Sequence, residues 1–280
     1  MSDFSIGVLL DGFRTDTRSA LKLARQVGAR GVQIYATQGE MAPENLTAPK
    51  RRELLDVIKS HGLVVSALCG DLGSGGFTRP EANAAKIERS RRILELAKDL
   101  ETDVVTTHIG VVPADPAHPR FGILQEACGA LAEYADSLQA HFAIETGPET
   151  AAVLKAFLDS LGSRGVAVNL DPANFVMVTG DDPAAAAYTL RDYIVHTHAK
   201  DGKRFYYRDP DEVYGMVESH IVTAPSFAEL PLGEGEVDWD AYLAALRGIG
   251  YDGFLTIERE VGDDPYGDIA HAVEFLRARI

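Results

Sequence analysis

The chain has 280 residues, 46% of them hydrophobic and 25% charged, which suits one barrel-sized α/β domain with a large buried core. Its formal charge of −15 argues against a nucleic-acid partner, because phosphate backbones are bound by Lys and Arg that displace counterions. No apolar run approaches the ~18 residues of a membrane span, and the opening MSDFSIGVLL lacks the basic region of a secretory leader, so a cytoplasmic protein without a membrane partner is expected.

Strand and helix alternate along the whole chain. The first strand is expected over Ser5–Leu10. A helix over Thr15–Val27 follows, with Ala20, Leu21, Leu23, Ala24 and Val27 in one apolar stripe and Thr15 or Asp16 as its cap. A second strand, Gly31–Tyr35, leads to a helix opened by Thr47 and Pro49, with Leu54, Leu55 and Ile58 on its inner face. Further strands are expected over Val64–Gly70, Val104–Gly110, Phe142–Thr146, Val166–Asp171, Ile194–Lys200 and Phe254–Arg259. Pro80 begins the third helix and Asp182–Pro183 the sixth. Most strands are nearly continuous runs of Val, Ile and Leu, the pattern of parallel strands covered on both faces. Cys69 falls in a strand and Cys128 on a helix. Neither has metal-type spacing, and both are expected to be buried free thiols.

One joint recurs. VGARGVQI (Val27–Ile34), LGSRGVAV (Leu161–Val168) and IGYDGFLT (Ile249–Thr256) share an apolar residue, a glycine, two variable residues and a second glycine before a strand. The first glycine suits a left-handed helix end, the second a strand start. Repeated βα units with right-handed crossovers close readily into a (β/α)8 barrel, a single domain over residues 1–280. An open doubly wound sheet is the competitor, but no strand is followed by a G-x-G-x-x-G phosphate loop. The nearest approach, GDLGSGG at Gly70–Gly76, has the wrong spacing. Gly202–Leu232 breaks the rhythm with a stretch rich in Tyr and Arg, and is expected to be a lid-like insertion.

Four strands end in a group that can ligate a metal: HFAIET with Glu145, VAVNLD with Asp171, IVHTHAKD with His198 and FLTIERE with Glu258. Singly, Glu145 could be a turn carboxylate, Asp171 a cap and Glu258 half of a surface ion pair. Their joint placement at strand ends selects a shared site on the face where such barrels carry active sites. Three carboxylates and an imidazole suit a divalent ion with open positions, such as Mn²⁺ or Mg²⁺. His196 and Lys200 share a strand face with His198. His108 and Asp71 stand on the same rim. All four are candidates to touch substrate.

The strand-five IE, the strand-six LD, H-x-H-x-K-D at 196–201, LPLGEGEVDW (Leu230–Trp239) and GYDGFLTIERE (Gly250–Glu260) resemble the xylose-isomerase-like TIM barrels of the sugar isomerase/epimerase superfamily, which also contains endonuclease IV. The resemblance covers essentially the whole chain. It implies one divalent ion, Mn²⁺ foremost, with Mg²⁺, Co²⁺ or Zn²⁺ as alternatives, held by Glu145, Asp171, His198 and Glu258. It also implies Glu145 and Glu258 as the catalytic pair, moving protons on opposite sides of a carbohydrate through a metal-stabilised enediolate. Arg204 matches a substrate-binding arginine of the epimerases, and relatives are often dimers or tetramers. One departure stands out. The epimerases and endonuclease IV carry a histidine where this chain has Asn174, which can contact a hydroxyl but cannot shuttle a proton. That argues against 3-epimerisation itself and against the nuclease. The expected function is isomerisation or epimerisation of a small sugar, keto-sugar or inositol derivative. A lyase or dehydratase using the same site is the alternative, with a phosphodiesterase or a non-catalytic binding barrel further behind.

Overall fold

The computed structural model describes residues 4–73, 75–217 and 224–280. Eight parallel strands close into a barrel in the order β1-β10-β7-β6-β5-β4-β3-β2. They are β1 (Ser5–Leu9), β2 (Gly31–Tyr35), β3 (Val64–Cys69), β4 (Val104–Thr107), β5 (His141–Glu145), β6 (Val166–Leu170), β7 (Ile194–Ala199) and β10 (Phe254–Ile257). β8 (Asp201–Arg204) and β9 (Phe227–Leu230) form a separate antiparallel pair between β7 and the last barrel strand.

The helices between strands are α1 (Thr17–Val27), α2 (Ala48–Ser60), α3 (Pro80–Asp99), α4 (Pro119–Ser137), α5 (Ala151–Leu161), α6 (Pro172–Asn174), α7 (Pro183–Leu190), α8 (Pro210–Val213), α9 (Trp239–Gly248) and α10 (Pro265–Arg277). Asp16 caps α1 by accepting from the Ser19 amide at 3.0 Å, and Asp182 caps α7 through Ala184. Thr47 occupies the capping position of α2, but its hydroxyl makes no capping bond. On that helix only Ile58 is fully buried, contributing about 1.5–3 kcal/mol, while Leu54 and Leu55 are half-covered. Among the described residues no helix is long and apolar enough to cross a membrane.

The repeated joint has a steric cause. Gly28, Gly162 and Gly250 end their helices at φ of +84°, +63° and +78°, a region that penalises any side chain. The second glycine of each joint is needed for close approach instead. A Cβ on Gly31 would stand 2.4 Å from the Phe254 ring, and one on Gly165 2.1 Å from the Ala132 carbonyl. β4 stops three residues short of the expected Gly110, whose φ of +97° cannot continue a strand ladder.

Candidate metal centre and pocket

Glu145 closes β5, Asp171 follows β6, His198 lies near the end of β7, and Glu258 follows β10. These four strands are consecutive neighbours in the barrel, so the four side chains meet. One ligating atom from each lies within 4.8 Å of all the others. His198 Nδ1 is 3.1 Å from Glu258 Oε2, 3.6 Å from Asp171 Oδ2 and 3.7 Å from Glu145 Oε1. All four are buried, with relative exposures of 6%, 0%, 1% and 5% in chain order. Gathering three carboxylates out of water costs several kcal/mol per ion unless a cation compensates.

Two details show that the cluster fits a divalent cation. Asp171 Oδ1 accepts from the amides of Ala173 and Asn174 at 2.8 and 3.1 Å, while its Oδ2 is buried without any hydrogen-bond partner. A buried acceptor left open at the centre of a ligand cluster is what an ion would satisfy. The second detail is the tautomer of His198. Its Nε2 lies 2.9 Å from Gln33 Oε1, which can only accept, so Nε2 carries a proton, and Nδ1, which faces the carboxylates, is the nitrogen an ion would take. Gln33 Nε2 in turn donates to Thr106 Oγ1 at 2.8 Å, which fixes the amide's orientation.

Beneath this layer lies another. His196 Nδ1 meets Asn169 Oδ1 at 2.8 Å and its Nε2 meets Thr256 Oγ1 at 2.9 Å. Burial holds His196 well below the usual imidazole range, so it is neutral. The expected face-sharing of His196, His198 and Lys200 is observed, but the period of two sets them at different depths. His196 does not line the cavity, and both its nitrogens are engaged, so the expectation that it touches substrate gives way to a supporting place under the floor.

Burial would raise the Glu258 carboxyl, but His198 and Lys200 outweigh it and hold it well below the usual range. Burial acts likewise on Glu145, where His108 and His198 more than offset it. Asp171 is left raised by burial despite the nearness of His198 and the charge of Lys200. It is the least compensated carboxylate of the three, in keeping with its open oxygen. Lys200 Nζ donates to Glu258 Oε2 at 3.1 Å and Glu260 Oε2 at 2.6 Å. His108 Nδ1 meets Asp71 Oδ2 at 3.0 Å and its Nε2 lies 3.7 Å from Glu145 Oε1. Burial alone would lower His108, yet Glu145 and Asp71 carry it up to about 9.

A cavity of about 560 Å³ opens above the cluster. Glu145, His198 and Glu258 reach its wall, as do Asp71, His108, Asn174 and Lys200. Asn174 Nδ2 donates to Glu145 Oε1 at 3.0 Å. Arg204, expected at the substrate, is not on this wall. Period-two alternation places it on the face of β8 shared with Gly202, where its guanidinium packs against Gly180 and donates to the Val178 carbonyl at 3.4 Å. Gln33, Tyr35, Tyr214 and Glu229 also line the cavity and were not anticipated. Gln33 and Asn169 carried a signal, as lone amides inside the apolar strands GVQIY and VAVNL.

The LGEGEVDW segment has a structural explanation. Buried Asp201 accepts from the amides of Gly202, Gly233 and Val237 and from Trp239 Nε1 at 2.9 Å, tying this segment to the start of β8.

The profile of the xylose isomerase-like TIM barrel family matches residues 21–279, so the chain belongs to that family. Among solved structures, a xylose isomerase domain protein from Planctomyces limnophilus is similar with a TM-score of 0.80 at 24% identity, covering 99% of this chain and 96% of that one. The probable 3-DHS dehydratase AsbF from Bacillus anthracis aligns at 0.77 and 19%, covering 99% and 100%. An L-ribulose 3-epimerase aligns at 0.74 and 20%, covering 98% and 94%. These likenesses establish the fold. The protein MJ1311 of Methanocaldococcus jannaschii is 24% identical over 217 residues, spanning 71% of this chain and 64% of that relative.

Proposed function

We propose that the protein is a divalent-metal-dependent isomerase or epimerase of a small sugar, keto-sugar or inositol derivative. The observation that carries this is the buried quartet of Glu145, Asp171, His198 and Glu258 at the floor of a sugar-sized cavity. Family membership supports it, as do structural neighbours named as sugar epimerases. An ion held by the quartet would polarise a substrate carbonyl and make the adjacent C–H more acidic. Glu145 and Glu258 stand on β5 and β10, with β6 and β7 between them, and so approach a bound molecule from separate sides. An ionised carboxylate on one side takes the proton, and return from the other side inverts the carbon. Return to the neighbouring carbon moves the carbonyl. Asn174 and the Asp71-oriented His108 hold hydroxyls. Val213, Tyr214, Phe227 and Ala228, from the segment read as a lid, line the cavity and would limit water there.

A dehydratase is the second reading, favoured by one feature. His108, oriented by Asp71, presents Nε2 to the cavity beside Glu145 and could protonate a leaving hydroxyl. The test is incubation of the Mn²⁺-loaded protein in D₂O with a panel of ketoses, aldoses and inososes. Deuterium at a carbon next to the carbonyl, with an isomeric product, supports the isomerase; loss of water supports the dehydratase. A metal-loaded protein that exchanges no C–H across the panel would sink both readings.

A further inference from the structure

The charges of the pocket indicate the kind of molecule it accepts. Six carboxylates stand on or just behind its wall: Asp71, Glu145, Asp171, Glu229, Glu258 and Glu260. The basic side chains facing them are Lys200, His108 and His198. Among the described residues no arginine lines the cavity, and neither Ser74 nor the sequence ESHIVT at 218–223 contains Lys or Arg.

Each basic group is already engaged. Lys200 serves Glu258 and Glu260 and lies 3.9 Å from Glu229 Oε2. His108 is held between Asp71 and Glu145, and His198 by Gln33 and the carboxylates. Arg259, between two wall residues in sequence, gives its guanidinium to Glu229 at 2.7 Å and Asp268 at 2.8 Å. Among the described residues, several backbone amides that could receive an anion are spent as well. Those opening α6 go to Asp171 Oδ1. In the glycine-rich loop after β3, the Gly73 amide goes to Asp71 Oδ1 at 2.8 Å, that of Gly76 to the Gly73 carbonyl and that of Thr78 to the Gly75 carbonyl. These amides, placed where other α/β proteins bind phosphate, therefore already have acceptors.

Counting a divalent ion, Lys200, His108 and the Arg259 that pairs with Glu229, five positive charges meet six carboxylates, and every one of them is engaged. A phosphate with about two negative charges would find no unpaired basic side chain on this wall and would add to its net negative charge. Hydroxyls are suited to the same wall, since a carboxylate only accepts and every hydroxyl can donate. Met177, Val178, Phe227 and Val261 offer apolar surface for the C–H faces of a small ring or chain.

We propose that the pocket accepts an uncharged polyhydroxy carbonyl compound, a free sugar or inositol-type ketone, and rejects phosphorylated or carboxylated counterparts. This rests on the proton-transfer reading of the same site. The experiment compares matched pairs, such as D-fructose with D-fructose 6-phosphate and D-ribulose with D-ribulose 5-phosphate, on the Mn²⁺-loaded protein. Solvent-deuterium incorporation and Mn²⁺-induced relaxation of sugar ¹³C and phosphate ³¹P are both read, with inorganic phosphate as a further probe. The expected result is kcat/KM for exchange at least about tenfold lower for each phosphorylated partner, and no ³¹P relaxation beyond that of free Mn²⁺. Glu260→Gln, at an exposed position on the rim, should narrow that discrimination by about threefold. Exchange of a phosphorylated sugar as fast as its neutral partner would overturn the substrate class while leaving the isomerase intact. If no sugar exchanges, the isomerase reading falls, and relaxation still decides the charge class. Inorganic phosphate held beside Mn²⁺ more tightly than every neutral sugar would overturn it.

Discussion

Two halves of one barrel wall carry different chemistry. β5, β6, β7 and β10 bring Glu145, Asp171, His198 and Glu258 to a single point, with Lys200 beside them. β2, β3 and β4, with the residues just after them, bring Gln33, Tyr35, Cys69, Asp71, Thr107 and His108 to the same cavity. On that second side the charged groups are already paired with one another, Asp71 to His108. Strand ends around a closed barrel are geometrically alike, so the difference comes from the residues placed there and not from the fold. One side gathers the groups that could hold an ion. The other orients the His198 imidazole through Gln33 and completes the cavity wall.

The largest expected effects break the side proposed to hold the ion. Glu145→Gln and Glu258→Gln keep the shape and an oxygen ligand but remove the ability to take a proton. Each should lower turnover by about 10²–10⁴-fold, with metal content checked and a substrate analogue still binding. Near-normal turnover in both would end the two-glutamate account. Asp171→Ala removes the oxygen left without a partner, so metal affinity should fall by more than about a hundredfold while circular dichroism stays native. Metal retained at the wild-type level in that variant would place the ion elsewhere.

A smaller effect sharpens the role of the opposite side. Gln33→Ala leaves all four ligands in place but removes the acceptor that holds the proton on His198 Nε2. Metal affinity should drop by about 10–100-fold, measured by competition with a chelator. Gln33→Glu, which still accepts, should recover most of it. If Gln33→Ala binds metal like the wild type, the tautomer is set by something other than β2.

The same contrast explains what could be read from the sequence. The ligand side was legible because each carboxylate or imidazole follows or ends an apolar strand, where a polar group is conspicuous. The βα rhythm was legible from the glycine joints, whose left-handed φ and tight approaches leave little alternative. Gln33 was visible as an amide in an apolar strand, but its contact spans 165 positions and follows only from barrel closure. Glu229 was hidden for a different reason. Its hairpin strands are four residues each and their ends are joined by more than twenty residues, so no short turn announces them. Placing that stretch as an insertion was possible; pairing Asp201 with Leu230 was not.

The smallest expected effect concerns Arg204, where resemblance and geometry part. By analogy with epimerases it would grip a substrate oxygen, and its loss would then raise KM substantially. In the structure its guanidinium lies against Gly180 and reaches the Val178 carbonyl, while Met177 and Val178 themselves face the cavity. Arg204 thus touches the back of a wall segment and does not line the cavity. Arg204→Ala should change kcat/KM by no more than about threefold, the range of substitutions away from buried networks. Any loss should appear alongside a lower melting temperature, because the bond to Val178 is what disappears. A tenfold or greater rise in KM at unchanged stability would show the arginine swinging into the pocket when substrate binds, and would return it to the substrate-binding set.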